Sequence, residues 1–169
     1  NGFSYTLGAG GVSTGSKSVL TININRCIQY EHRNNIPHLQ FVGEVIDLMH
    51  KVQTAYNENL KYLQSKGMLP LFDAGYIAIN RQYLTIGVNG LVEAAEYLGI
   101  PINDNEEYQH FIEGILGLVE QYNHQYRTKE LMFNCEMIPA ENVGVKHAKW
   151  DREDGYEVPR DCYNSYFYK

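Results

Sequence analysis

The stretch TLGAGGVSTGSKSVLTININR, residues 6–26, decides the fold. A glycine-rich run followed by Ser, Thr and Lys points to a phosphate cradle, so what matters is the element it leads into. In a P-loop, GxxxxGK[ST], a Lys follows the last glycine directly. Gly10 and Gly15 have that separation, but Ser16 stands before Lys17 and Ser18. The dinucleotide fingerprint GxGxxG fails as well, because Gly8 and Gly10 fit while position 13 is Ser13. That motif also needs a strand before it and a helix after it. Here the run feeds SVLTINI (18–24), whose β-branched, apolar character reads as a buried strand. Residues 1–16 therefore read as a loop, either a mobile connection or one shaped to a ligand, and as neither standard nucleotide motif. Glycines still let backbone N–H groups approach an anion, so Ser13, Thr14, Gly15 and Ser16 remain candidate contacts for a substrate.

Working outward, apolar positions from Val42 to Leu63 recur at helical spacing, predicting an amphipathic helix from His38 to about Gln64, closed by Gly67 and Pro70. YIAINRQYLTIGV (76–88) is strand-rich with a turn at Asn80-Arg81, and a short helix follows over Leu91–Leu98. Asn103 or Asp104 caps a further helix whose stripe runs from Tyr108 to Tyr122. LMFNCEMI (131–138) reads as a strand stopped by Pro139, Asp151–Gly155 as a charged turn, and Tyr163–Tyr168 as a last strand. Helices alternating with short buried strands predict an α/β layout.

The 169 residues suffice for one domain with a sizeable core. A formal charge of -6 argues against a nucleic-acid backbone as the partner, though not against free nucleotides. No apolar run is long enough to span a bilayer. Cys27, Cys135 and Cys162 are odd in number and in no CxxC arrangement, which reads as free thiols in a reducing, cytoplasmic setting. The absence of an initiator Met and the aromatic end NSYFYK (164–169) lead us to expect a fragment of something longer.

Among other constellations, IPAENVG (138–144) places a proline and then small residues after a strand, which suits a backbone nest for a phosphate, with Glu141 an acceptor for a sugar hydroxyl. The plainer reading is a strand-to-loop turn with Glu141 solvated or capping. Arg152-Glu153-Asp154-Gly155-Tyr156 matches R-x-x-G-Y, the pattern around a stored glycyl radical. Three charges beside that glycine make a polar turn the better reading, since a radical needs a dry site. His32, His38, His110 and His124 lack metal-site spacing and read as surface or core-edge residues, so no metal site is expected. Cys135 reads as packing on the face of Leu131, Phe133 and Met137, and Cys162 as a structural rather than a reactive thiol.

Three long segments, 6–26, GYIAINRQYLTIGVNGLVEAAEYLGI (75–100) and MIPAENVGVKHAKWDREDGYEVPRDCYNSYFY (137–168), together resemble the anaerobic, class III ribonucleoside-triphosphate reductases, in their glycyl-radical subunit. The resemblance covers nearly the whole chain, and three segments in the same order are more specific than any single motif. It implies a partial ten-stranded α/β barrel of the ribonucleotide reductase and pyruvate formate-lyase type, with residues 1–169 an internal segment of the catalytic barrel domain. It also implies a chemistry. A glycyl radical made by a radical-SAM activating enzyme oxidises a finger-loop cysteine to a thiyl, which removes the 3' hydrogen of a ribonucleoside triphosphate. The 2' hydroxyl leaves as water and formate supplies electrons. ATP or dNTP effectors, a zinc site and a homodimer belong to the intact subunit.

By fold analogy with other reductase classes, Pro139, Ala140, Glu141 and Asn142 are expected at the substrate phosphates, with Ser13, Thr14, Gly15 and Ser16 also near the substrate. The run at 1–18 would then be the return from the finger loop, its glycines serving close approach. The finger-loop cysteine, the four-cysteine zinc site and the radical glycine lie outside this sequence, so the chain alone is expected to be inactive. The alternatives are a stand-alone nucleotide-binding module of the same descent, or another glycyl-radical enzyme.

Overall fold

The computed structural model describes residues 15–137 and 141–164, with the backbone alone of Glu141. The order of elements is β1 (Gly15–Asn23), α1 (Ile24–Arg33), α2 (Gln40–Ser65), α3 (Pro70–Asp73), a 3-10 turn (Ile79–Arg81), β2 (Gln82–Asn89), α4 (Leu91–Tyr97), α5 (Glu106–Tyr126), β3 (Met132–Met137) and α6 (Glu141–Glu153). The three strands form one parallel sheet in the order β1-β2-β3, with Leu20 opposite Ile86 and Ile86 opposite Cys135. Each parallel connection passes through helices, as it must.

Strand residues alternate between the two faces of the sheet. Ile22, Ile86 and Val88 pack into a core with Ile28 of α1, Val42 and Ile46 of α2, Leu91 of α4, and Phe111, Ile115 and Val119 of α5. The intervening residues, Thr21, Thr85, Gly87, Asn134 and Glu136, belong to the opposite face together with Val19, Tyr83 and Met132, so that face is mixed, with a polar centre.

The buried face of α2 is partly polar. His50 is buried, with Nδ1 2.8 Å from the Ile46 carbonyl and Nε2 2.8 Å from Asn123 Oδ1. Gln53 donates to the Thr85 carbonyl at 3.0 Å, and Asn57 Oδ1 accepts from Lys17 Nζ at 2.5 Å. Burial, with Lys61 nearby, lowers the Lys17 pKa to about 8. Glu31 of α1 caps the start of α2 from outside that helix, accepting from the backbone N–H of Leu39 at 2.9 Å and Val42 at 3.0 Å. A buried carboxylate is suited to the positive end of a long helix.

Several expectations need correction. Residues 24–33 form α1 directly after β1, so the strand stops at Asn23, whose side chain caps the new helix through Arg26 N–H at 3.1 Å. Asn105, rather than Asn103 or Asp104, caps α5. The stretch after Pro139 becomes α6, which runs through Asp151 to Glu153, so the turn holds only Asp154 and Gly155. Of the expected loop at 1–16, Gly15 and Ser16 instead open β1, while residues 1–14 and most of the expected strand at 163–168 lie outside the described residues.

Candidate functional site

Open α/β sheets bind ligands at the carboxyl ends of their strands. At that edge β1 ends in Asn23, β2 in Asn89, and β3 leads within three residues into α6. Asp151 of α6, fully buried, is the hub. It accepts from Asn23 Nδ2 at 3.0 Å on each oxygen, Asn25 Nδ2 at 3.2 Å, Arg26 Nε at 2.6 Å and the Tyr163 hydroxyl at 2.6 Å. Four donor side chains, one of them cationic, offset the cost of removing this carboxylate from water. Burial, reinforced by Asp151, pushes the Tyr163 hydroxyl far above its usual range, so it stays a donor.

Asn89 organises the second strand end. Its Nδ2 donates to the carbonyl of Asn164 at 3.2 Å and of Tyr163 at 3.5 Å. Carbonyls only accept, so the amide orientation is determined and Oδ1 faces His147 Nδ1 at 3.0 Å. His147 therefore carries its proton on Nδ1. Burial lowers its pKa, against the pull of Asp151, so the ring is neutral at neutral pH.

Two glycines permit this convergence. Gly90 has φ +81°, and a Cβ there would lie 3.3 Å from Asn23 Oδ1 and from the Asn25 nitrogen. Gly144 of α6 lies against the Tyr163 backbone and the Cys162 sulfur, where a Cβ would come within 2.7 Å of the Tyr163 carbonyl oxygen. Gly144, His147, Ala148 and Asp151 recur at helical spacing, so α6 docks by a face of two small and two polar residues.

On the face away from the helices, a polar ladder crosses all three strands. Ser16 Oγ is 2.8 Å from Thr85 Oγ1, which donates to Asn134 Oδ1 at 2.7 Å, and Asn134 Nδ2 donates to Glu136 Oε1 at 2.8 Å. Burial raises the Glu136 pKa while the Asn134 hydrogen bond opposes it.

Of the expected substrate contacts, Gly15 and Ser16 open β1, at the far end of the sheet from α6. Eight residues of strand separate the two ends, about 26 Å. The structure thus does not bring Gly15 and Ser16 together with Asn142, which is exposed in the first turn of α6. Ser13, Thr14, Pro139 and Ala140 lie outside the described residues, as does the Glu141 side chain. Of the segment expected to return from a finger loop, residues 1–14 lie outside the described residues as well, and residues 15–18 belong to β1. Asn23, Asn89, Glu136, His147 and Asp151 escaped the sequence reading. The spacing of His147 and Asp151, four apart, was the available signal, since it puts both on one helix face.

The thiols divide by environment. Burial, with Glu31 and Asp151 adding to it, pushes Cys27 up to about 12, so it is no thiolate. Cys135 lies on the same strand face as Phe133 and Met137 and keeps solvent access at its surface, yet burial by its surroundings, with Glu136 adding to it, pushes its thiol up to about 12 as well, while Cys162 is exposed. Gly155 has φ +74° and open space around it, as a polar turn requires. Neither a radical glycine nor zinc fits the described residues: Gly155 stands in that open turn, and no group of three His, Cys, Asp or Glu side chains among the described residues can hold a metal. Among them no helix is long and apolar enough to cross a membrane.

The family model for anaerobic ribonucleoside-triphosphate reductase matches residues 3–169. No curated protein matches the chain. Solved structures do. The anaerobic ribonucleotide reductase from Thermotoga maritima with dATP bound in the specificity site is 29% identical, with a TM-score of 0.82 over 94% of this chain and 29% of that one. The same enzyme in complex with dATP and CTP is 30% identical, with a TM-score of 0.81 over 88% of this chain and 26% of that one. A further structure, of an anaerobic ribonucleotide reductase, is 29% identical, with a TM-score of 0.80 over 88% of this chain and 25% of that one. The chain thus spans between a quarter and a third of the length of these structures, and its parallel sheet with helices on one face is part of an α/β barrel. By the match along nearly its full length, the chain belongs to the anaerobic ribonucleoside-triphosphate reductase family.

Proposed function

We propose that this chain forms the phosphate-holding part of a reductase barrel, in a subunit that makes deoxyribonucleotides for DNA synthesis without oxygen. The observation that carries this reading is the place of α6. Its first turn follows β3 by three residues at the carboxyl edge of the sheet, and the unpaired N–H groups of a helix start are a ready anion site. The Thermotoga maritima reductase in complex with dATP and CTP, 30% identical, supports a ribonucleoside triphosphate as the ligand.

A glycyl radical installed by a radical-SAM activating enzyme, with formate as reductant, supplies the redox chemistry in a cytoplasmic homodimer tuned by ATP or dNTP effectors. The residues of this chain bind, orient and exclude water. Pro139, Ala140, Glu141 and Asn142 contact the phosphates. Asp151 and Asn89 hold the strand ends behind them, and Glu136 with its ladder faces the enclosed side.

The test uses the intact, activated subunit with CTP as substrate and dATP as effector. Asn142→Asp sets a negative charge beside the phosphates, so KM for CTP should rise about tenfold with kcat changed less than about threefold. An unchanged KM contradicts the assignment.

A further inference from the structure

We propose that His147 is a positioning residue: through its Nδ1–H bond to Asn89 it latches α6 to the end of β2 and so sets where the first turn of α6 meets the substrate. This rests on the reading of α6 given above. Most helices here are seated by apolar stripes, but α6 presents Gly144, His147, Ala148 and Asp151 to the strand ends. Asp151 anchors its C-terminal half to Asn23, Asn25 and Arg26 of β1 and α1. Gly144 meets the Tyr163 backbone, with Tyr163 N–H donating to the Gly144 carbonyl at 3.2 Å. His147 lies between these anchors and makes the direct side-chain bond from α6 to the central strand.

The bond is directional and polarised. Asn89 is committed to the carbonyls of Tyr163 and Asn164, so only a donor at position 147 completes it. An apolar residue there leaves the Asn89 oxygen buried without that donor, a loss equivalent to about tenfold in an equilibrium. Asparagine is the conservative replacement, because its Nδ2 occupies the place of the imidazole Nδ1.

The experiment compares wild type, His147→Leu and His147→Asn in the intact subunit. It reads amide hydrogen exchange over residues 141–153, CTP affinity by calorimetry, and kcat with KM. In His147→Leu, exchange in α6 should quicken about tenfold while α5 is unchanged, and Kd and KM for CTP should rise about tenfold with kcat within about threefold. His147→Asn should restore all of these to within about threefold of wild type. Unchanged α6 exchange in His147→Leu, no rescue by His147→Asn, or a loosened α6 with unaltered CTP affinity would each overturn the proposal. If wild type neither binds nor reduces CTP, the reading of α6 as a phosphate site fails, and the positioning role fails with it. Quickened exchange would then leave His147 as a structural latch alone.

Discussion

Asp151 shows how much one buried side chain organises here. Replacing it by Ala leaves the Arg26 guanidinium with Asp154 alone and strands the donors of Asn23 and Tyr163, so a loss of about 3 kcal/mol is expected, read as a fall in the denaturation midpoint. Glu31→Gln is milder. It keeps one acceptor for the N–H groups of Leu39 and Val42 but loses the charge at the start of α2, at a cost of about 2 kcal/mol. His147 adds a pH dependence of defined sign. Burial holds its pKa below 6.5 in the fold, so the unfolded chain takes up the proton first as pH falls. Its contribution to stability is full above about pH 6.5 and is lost progressively below it, through the lowered folded pKa. Asp151 and Arg26 face the ring and act in opposite directions on it. His147→Asn should flatten the decline in stability between neutral and mildly acid pH; an identical decline would assign it to other groups.

The elements divide by what holds them. For α2 and α5 the apolar stripes from Val42 to Leu60 and from Tyr108 to Val119 do the seating, and both helices were legible from periodicity, as were β2 and β3. For α1 the buried face mixes Ile24, Cys27 and Ile28 with Asn25, Gln29 and Glu31, and for α6 it mixes Gly144 and Ala148 with His147 and Asp151. Polar residues interrupt both stripes, so periodicity does not reveal α1 and predicts a loop and a turn where α6 lies. The strand β1 passes into α1 with no loop between them, which also hid the boundary at Asn23. Those two helices build the carboxyl edge, so the site was the least legible part of the chain. Gly144→Ala separates propensity from packing at this scale. Alanine favours a helix by about 1 kcal/mol, yet its Cβ would lie 2.7 Å from the Tyr163 carbonyl oxygen. We expect a net loss of about 2 kcal/mol, because backbone on backbone has little room to yield. A stabilised variant would show that the 162–163 segment sits elsewhere.

At the scale of the whole molecule, β1 and β3 are both edges of the described sheet, and Leu48, Val52, Tyr56, Tyr62, Met68 and Leu71 are large apolar side chains left exposed. Open edges and apolar patches of this kind mark surfaces that other structure covers, in keeping with a chain about a quarter to a third as long as the reductases it resembles. Nucleotide binding by the chain alone should accordingly be weaker than micromolar, and titration calorimetry with CTP checks this. The most direct test of the account is a crystal structure of the intact subunit with CTP and dATP. It predicts substrate phosphates within hydrogen-bond distance of backbone N–H groups at 140–142, over strand ends still joined by Asn23, Asn89, His147 and Asp151. Substrate phosphates held instead at the Gly15–Ser16 end of the sheet, or away from it altogether, would contradict it.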